Sequence, residues 1–330
     1  MDGMVMPGVT AGPLVEIDDL HVRFVTREAT VHAVNGVSLS VNSGEVLCII
    51  GESGSGKSVT LRALMRLLPP DRTRISGGLR VAGKDVLALD RRGLRDLRGS
   101  MVSMIFQEPM TALDPVYRVG QQIVEMIVRH KGCSRAQAEA RALELFDLVK
   151  IPEAKRRLAA YPHELSGGLR QRAMIAMALS CGPSLLLADE PTTALDATVQ
   201  IQVLILLRRL QREMGMATIF VTHDLGVAAE IADRIAVMYA GRIVETGPAV
   251  EVLRTPAHPY TRGLLASTVH DQDRDADIAA IPGAPPDLRR LPTGCAFAPR
   301  CSFATGHCSA ALPVPMKLSA RHLASCHMLT

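Results

Sequence analysis

The sequence predicts an α/β fold: a parallel β-sheet with helices on its faces, antiparallel strands ahead of it, a helical segment within it and a cysteine-containing extension after it. A compact apolar strand at residues 45–50 runs straight into a glycine-rich loop, which a helix follows. Three further short apolar strands, at 185–188, 218–221 and 235–239, are separated by helical stretches. Strands that alternate with helices favour a parallel sheet with helices packed on it.

The composition narrows the class of protein. The chain has 330 residues, 48% of them hydrophobic, which is typical of a globular protein with a large core. Its net charge of +4 is too small for the concentrated basic face of a nucleic-acid-binding protein, so we expect no nucleic-acid partner. Apolar runs such as 203–207 are far shorter than the ~18 residues that span a bilayer, and residues 1–13 lack the pattern of a signal peptide. We therefore expect a chain that is soluble by itself and cytoplasmic.

Antiparallel strands are predicted at the start of the chain and helices in its middle. Apolar and polar positions alternate over residues 14–41, with a turn predicted at Asn35-Gly36. Residues 110–180 have helical patterns, and Ser134 with Gln137 resembles a capping box that opens a helix through Val149.

The chain divides into two predicted parts. Its composition changes near residue 248 and is proline-rich beyond residue 281, and no internal repeat is visible. We predict one domain at 13–262, with a helical subdomain at about 110–180, and a C-terminal extension at 263–330.

A complete phosphate-loop pattern follows the first apolar strand. Its eight residues are Gly51, Glu52, Ser53, Gly54, Ser55, Gly56, Lys57 and Ser58. The glycines let successive N–H groups point at a phosphate, and the following helix adds the positive end of its dipole. We expect these residues to bind ATP, with the Lys57 ammonium on the β- and γ-phosphates and the Ser58 hydroxyl on Mg²⁺. The strand before the loop and the helix after it disfavour a plain flexible turn.

An acidic pair, Asp189-Glu190, ends a second apolar strand. Ligands bind at the carboxyl edge of open parallel sheets, so both carboxylates are expected beside the phosphate loop. Asp189 is predicted to hold Mg²⁺ through water, and Glu190 to be the general base for the water that attacks the γ-phosphate. An acidic pair after a strand is by itself more often a helix cap.

Three other side chains complete the predicted site. His223 follows another strand and is predicted to hydrogen-bond the γ-phosphate and the attacking water. Gln107, after the strand at 102–106, is the matching polar sensor and a third predicted contact to Mg²⁺. Phe24 is expected to stack beneath adenine, and the alternative is an ordinary core phenylalanine.

The order of these motifs resembles that of the ATP-binding cassette (ABC) family, over about residues 13–262. The quartet Leu165-Ser166-Gly167-Gly168 lies between the phosphate loop and the acidic pair. The resemblance implies that Ser166, Gly167 and Gly168 bind the γ-phosphate of ATP held by a partner's phosphate loop, and that Asp196 lies at that dimer interface. The position after Gly168 is usually Gln in the family and is Leu169 here.

A narrower resemblance covers the whole chain. The stretches Tyr161–Gly168, Pro191–Asp196, His258–Thr261 and Leu291–Cys295 are similar to those of the ATPase subunits of bacterial dipeptide and oligopeptide importers. The resemblance implies a peripheral ATPase on the cytoplasmic face of the inner membrane, which energises import of di- or oligopeptides. Its implied partners are two membrane-spanning permeases, a second ABC ATPase in a hetero- or homodimer, and an extracytoplasmic peptide-binding protein.

Two other functions remain open at this point. The same cassette can import nickel or another small solute, because no part of such a subunit touches the substrate. A soluble ABC ATPase that acts on ribosomes or DNA is the other alternative. Tandem cassettes and long coiled-coil insertions are typical of those proteins, and this sequence has neither.

The extension contains four of the seven cysteines: Cys295, Cys301, Cys308 and Cys326. They include no C-x₂-C pair, which makes a zinc ribbon a poor match, although His307, His322 and His327 are candidate zinc ligands. Four thiolates can instead hold an iron-sulfur (4Fe-4S) cluster, whose ligand spacing is more permissive. We predict such a cluster in a structural role, with zinc and no metal as the alternatives.

Overall fold

The computed structural model describes residues 12–108, 112–193, 195–268 and 281–329. Its main sheet has eight strands in the order β11-β12-β10-β9-β3-β8-β7-β6. These are β3 Val46–Ile50, β6 Val102–Ile105, β7 Leu185–Asp189, β8 Ala217–Thr222, β9 Arg234–Tyr239, β10 Arg242–Pro248, β11 Met316–Lys317 and β12 Leu323–Ala324. Strands β6, β7, β8, β3 and β9 pair in parallel, whereas β10, β12 and β11 are antiparallel. The predicted α/β class with a parallel sheet is confirmed.

Helices connect and cover the strands. Two helices precede β6 in the chain: α1 Lys57–Leu64, which follows the phosphate loop, and α2 Arg91–Leu97. The helical segment contains α3 Val119–Lys131, α4 Arg135–Leu148, α5 Ala154–Leu158, a 3-10 turn Pro162–Glu164 and α6 Gly167–Leu179. The later helices are α7 Ala197–Met214, α8 Leu225–Ile231, α9 Ala249–Arg254, α10 Pro259–Thr268 and α11 Gly306–Ala310.

The helix predicted from Ser134 is present and is capped as expected. The Ser134 Oγ accepts a hydrogen bond from the Gln137 N–H, and the Gln137 Oε1 accepts one from the Ser134 N–H. Residues 110–111 of the predicted helical subdomain, and residues 269–280 and 330 of the predicted extension, lie outside the described residues.

A second, antiparallel sheet is built from two strands that precede the phosphate loop in the chain and two that follow it. Its order is β2-β1-β4-β5, with β1 Val15–Val25, β2 Thr30–Val41, β4 Thr73–Val81 and β5 Lys84–Asp85. The predicted turn at Asn35-Gly36 is wrong, because both residues lie inside β2. There Gly36, at φ 77°, occupies a bulge, and the Asn35 amide donates to the Ala240 carbonyl. The chain reverses at residues 26–29 instead, where the Ala29 N–H donates to the Thr26 hydroxyl.

The main sheet separates two hydrophobic cores. Alternate residues of β3 enter opposite cores, Cys48 and Ile50 on one face and Leu47 and Ile49 on the other. The first core includes α3, α4 and α6–α9, and the second includes α1 and the antiparallel sheet. A strand buried on both faces has a continuous apolar sequence, which is why β3 was recognisable in the sequence.

No helix in the described ranges is long and apolar enough to cross a membrane.

The C-terminal strands join the main sheet through a buried carboxylate. β12 pairs with β10 at Glu245, whose side chain is fully buried. Its two oxygens accept hydrogen bonds from the backbone N–H groups of Ala257 and His258, at 2.8 and 2.9 Å. The ring of His322 lies 2.8 Å from the same carboxylate. Glu245 therefore fastens the start of α10 and the last strand to β10.

We expect Glu245→Ala to lower the free energy of unfolding by about 3–5 kcal/mol, because it leaves buried donors and His322 without their acceptor. Urea denaturation of the full chain measures this. The exposed Glu230 on α8 provides a matched control, since Glu230→Ala is expected to change stability by less than about 0.5 kcal/mol. Equal losses in the two variants would contradict the role of Glu245.

Candidate active site

The phosphate loop fits between β9 and β2 because two of its positions are glycine. Gly51 has φ 154° and Gly56 has φ 106°, a region that other residues rarely adopt. A Cβ at Gly51 would lie 2.1 Å from the Met238 carbonyl oxygen, and one at Gly56 would lie 2.4 Å from the Ala33 carbonyl oxygen. Any side chain at these positions would displace the loop from the sheet.

Lys57 folds back across the interior of this loop. Its ammonium donates to the carbonyls of Gly51 and Glu52, at 2.6 and 2.9 Å, and the residue is 5% exposed. Burial lowers the pKa of Lys57, while the carboxylates of Glu190, Asp189 and Glu52 oppose that shift. A buried ammonium group inside a glycine-rich loop suits the binding of a phosphate anion there.

Ser58 and Asp189 form a pair of oxygen ligands at the carboxyl end of β7. The Ser58 hydroxyl donates to Asp189 Oδ1 at 2.6 Å, and Arg62 Nη2 lies 3.8 Å from Oδ2. Asp189 is 1% exposed, and burial raises its pKa although the Ser58 hydrogen bond opposes the rise. A hydroxyl and a carboxylate are the hard oxygen ligands that Mg²⁺ prefers, so this pair fits the predicted ion.

Three side chains converge on one oxygen of Glu190. Gln107 Nε2 lies 3.4 Å from Glu190 Oε2, the Thr193 hydroxyl 3.0 Å and His223 Nδ1 3.3 Å. The backbone of Glu190 is left-handed at φ 45°, and its N–H donates to the Val221 carbonyl. The structure thus brings the predicted residues Gln107 and His223 together on the carboxylate of Glu190.

The sequence-based prediction missed Thr193. The residue follows the acidic pair by three positions, in the stretch Pro191-Thr192-Thr193, and a hydroxyl at that spacing can return to the carboxylate.

The LSGG quartet forms the start of α6. Ser166 is the N-cap residue of α6, and its Oγ accepts from the Leu169 N–H at 3.4 Å. A Cβ at Gly167 would meet open space, whereas one at Gly168 would lie 3.0 Å from Val199 of α7. In the part of the chain that the structure describes, no hydrogen bond or ion pair joins Ser166 to residues 51–58. Its contact with a partner's nucleotide stays a prediction.

Asp196 caps α7, the helix beside the quartet. Its Oδ1 accepts from the Val199 N–H at 3.0 Å, and its predicted place at a dimer interface stays a prediction.

Phe24 lies near the end of β1, paired with Val31 of β2 and Thr73 of β4. Its ring is half-buried and packs against the second core. Both the stacking and the core interpretation fit this position, so its contact with adenine also stays a prediction.

The four cysteines of the extension are free thiols in one part of the fold. The Cys295 N–H donates to the Cys308 carbonyl at 2.7 Å. Burial raises the pKa of Cys295, and the nearby thiols of Cys308 and Cys326 add to the rise. Among the described residues, however, no three His, Cys, Asp or Glu side chains are arranged to hold a metal ion. The predicted cluster therefore has its ligands in one region but no preformed ligand geometry.

The histidines of the zinc alternative have other contacts. His322 lies against Glu245, the His327 ring nitrogen is 2.9 Å from the Ala311 carbonyl oxygen, and the rings of His307 and His327 are 4.3 Å apart.

A second residue that the sequence did not predict reaches the phosphate loop from the extension. Arg300 binds the carboxylate of Glu52 with both terminal nitrogens, at 2.7 and 3.0 Å. Residues 248 positions apart are in contact here, and no local pattern indicates such a pair.

Comparisons with known proteins agree with this geometry. The chain matches the ABC transporter family over residues 34–193, and the C-terminal region of oligopeptide/dipeptide transporters over residues 244–308. It is 51% identical to the oligopeptide transport ATP-binding protein OppD of Salmonella typhimurium, over 92% of this chain and 90% of that one. It is 50% identical to OppD of Escherichia coli, over 92% of this chain and 90% of that one.

Solved structures give the same result for the fold. The post-hydrolysis dimer of the ATP-binding cassette MJ0796, bound to ADP and Pi, has a TM-score of 0.64 and 29% identity, covering 71% of this chain and 98% of that one. The cbiO1 subunit of Clostridium perfringens, part of an ABC transporter complex, has a TM-score of 0.63 and 27% identity, covering 74% of this chain and 92% of that one. The chain therefore belongs to the ATP-binding cassette family, as an ATPase that carries the C-terminal region of oligopeptide/dipeptide transporters.

Proposed function

We propose that this chain is the ATP-hydrolysing subunit that energises import of di- or oligopeptides as part of an ABC transporter. The observation that carries the proposal is the convergence of Lys57, Asp189 and Glu190 at one sheet edge, in a chain whose C-terminal region is of the peptide-transporter type. The sequence identity of 51% to OppD, over 92% of this chain, supports peptides rather than nickel as the transported solute.

Each side chain has a proposed role in hydrolysis. The loop N–H groups and Lys57 bind the β- and γ-phosphates of ATP, and Phe24 stacks on adenine. Glu190 accepts a proton from water as the water oxygen bonds to the γ-phosphorus, and the bond from that phosphorus to the β–γ bridging oxygen breaks. ADP leaves with the bridging oxygen, and phosphate is the other product. Gln107 and His223, both within 3.4 Å of Glu190, orient the carboxylate and the water.

Magnesium would be held by Ser58, Asp189 and Gln107, and would neutralise charge on the phosphates. The short Ser58–Asp189 contact of 2.6 Å supports this assignment, because both oxygens can turn to one ion.

The proposed site is completed by a second ABC ATPase. Ser166, Gly167 and Gly168 are proposed to bind the γ-phosphate on that partner, with Asp196 at the interface between the two cassettes. Gly167 supports this, since no described atom outside its own turn of helix lies within 4 Å of the place a Cβ would take, and a ligand can approach the backbone there.

Two permeases and an extracytoplasmic peptide-binding protein are the other proposed partners, and the chain is proposed to be peripheral at the cytoplasmic face of the inner membrane. An apolar surface supports a permease contact: Val116 and Tyr117, which follow the Gln107 strand, are 69% and 56% exposed.

We propose residues 13–262 as the ATPase domain, with its helical subdomain at about 110–180, and 263–330 as the extension.

The complex reconstituted in vesicles tests this function. ATP turnover is expected to rise several-fold with peptide-loaded binding protein, and Glu190→Gln is expected to lower turnover by about 10²–10⁴-fold because the general base is lost. ATP affinity should stay within about threefold, since the carboxylate contacts water rather than nucleotide. The control is Glu213→Gln on α7, an exposed glutamate paired with Arg209 at 3.7 Å. Stimulation by nickel but not by peptide would contradict the peptide assignment, and full turnover in Glu190→Gln would contradict its role.

We also propose that Cys295, Cys301, Cys308 and Cys326 hold a 4Fe-4S cluster. Support comes from their free thiols and their mutual proximity, through which Cys301 and Cys308 add to the burial-driven rise in the pKa of Cys326. Cluster binding would require the thiol side chains to turn towards one another, since they are not so arranged in the described residues.

Anaerobically purified protein is expected to contain about four iron and four sulfide ions per chain, because four thiolates match the ligand count of this cluster. The sample is also expected to absorb visible light. Cys301→Ser should lose most of the iron, whereas Cys133→Ser, a cysteine of the helical segment, should retain it. A colourless, iron-free sample of the unmodified chain would contradict the proposal.

A further inference from the structure

Glu52, the second residue of the phosphate loop, is held from three sides. Its N–H donates to the hydroxyl of Tyr260 at 2.8 Å. Its carbonyl accepts from the Lys57 ammonium at 2.9 Å. Its carboxylate binds both terminal nitrogens of Arg300, at 2.7 and 3.0 Å. Two of these three contacts come from α10 and the C-terminal extension, outside the motifs that define the ATP site.

Arg300 is built into the extension rather than lying on its surface. It ends the 3-10 turn Ala298–Arg300, and its side chain is 5% exposed. Its Nε donates to the Pro282 carbonyl at 2.8 Å, and its guanidinium carbon lies 5.8 Å from the centre of the Tyr239 ring. The hydrogen bonds to Glu52 raise the pKa of Arg300, so the charge is retained. A bidentate pair of this kind fixes direction as well as distance.

Tyr260 is equally constrained. It is fully buried, and its ring lies 4.6 Å from that of Tyr239 and 5.4 Å from that of Phe297. Tyr239 is the last residue of β9, and Phe297 belongs to the extension. The Tyr260 hydroxyl, which accepts a hydrogen bond from the Glu52 N–H, therefore belongs to a packed aromatic cluster that joins the main sheet to the extension.

We propose that Arg300 is a positioning residue of the ATP site, acting through Glu52. By fixing the Glu52 carboxylate, Arg300 sets the orientation of the two peptide groups that flank Glu52. One of them contains the Glu52 carbonyl, which accepts a hydrogen bond from the Lys57 ammonium. A loop already held in the phosphate-binding shape loses less conformational freedom when ATP binds, and this raises affinity. The inference rests on the proposed function only in that the loop binds ATP.

A purely structural ion pair would behave differently. Loss of Arg300 would then lower the melting temperature, but any change in ATP affinity would not depend on the side chain at position 52. A positioning role requires that dependence, because Arg300 reaches the loop through the Glu52 carboxylate.

The experiment is a double-mutant cycle on the full chain, with the Kd for Mg-ATP measured by titration of a fluorescent ATP analogue. Arg300→Gln is expected to raise the Kd about tenfold, equivalent to about 1.4 kcal/mol. In a Glu52→Gln background the same change is expected to raise the Kd by less than about threefold. Arg289→Gln is the matched control, since Arg289 is an exposed arginine of the extension that pairs with Asp287 at 2.8 Å. Its Kd should equal that of the unmodified chain.

Either of two results would overturn the proposal: an unchanged Kd in folded Arg300→Gln, or an equal rise in both backgrounds. If Arg300→Gln does not fold, Arg300→Lys takes its place. It keeps the charge but lacks the second nitrogen, so a rise of about threefold is expected and an unchanged Kd overturns the proposal. Failure of the unmodified chain to bind Mg-ATP would instead contradict the proposed function.

Discussion

The parallel pairing of β3, β8 and β7 is the constraint on which the site depends. Ile50 pairs with Thr222, and Asp189 pairs with Val221, so the three strands end within one residue of the same level. The residues that come next along the chain, Gly51, Glu190 and His223, must therefore emerge at one edge. Hydrogen bonds between strands and burial on both faces fix that level, and the Ser58–Asp189 and His223–Glu190 contacts follow from it.

Local pattern was enough to predict the elements but not the contacts between distant segments. The apolar run of β3, the glycines of the loop and the Ser134–Gln137 cap are each encoded within a few residues, and each is present. The predicted Asn35-Gly36 turn was wrong because tertiary hydrogen bonds, which Asn35 donates to the carbonyls of Ala240 and Gly241, hold this segment inside a strand. Arg300 and the two-residue strands β11 and β12 were missed for the same reason, since their partners lie far away in the sequence.

The C-terminal extension is attached to the cassette at two carboxylates, one fully buried and one partly buried. Glu245 joins it to the last strands of the main sheet through His322, and Glu52 joins it to the phosphate loop through Arg300. Both attachments use buried partners, for which loss of one member costs far more than a surface ion pair would. The extension is thus a part of the framework that holds the phosphate loop in place.

The central claim is that Ser166 serves ATP bound to a second cassette, and steady-state ATP turnover of Ser166→Asp tests it most directly. Aspartate is as good an N-cap as serine, so α6 should keep its cap and the melting temperature should change by less than about 2 °C. Its negative charge would face the partner's γ-phosphate, so turnover should fall more than about tenfold while ATP binding to the chain's own loop is unchanged. Ser134→Asp at the N-cap of α4 is the matched control and should keep full turnover. Full turnover in Ser166→Asp would contradict the claim.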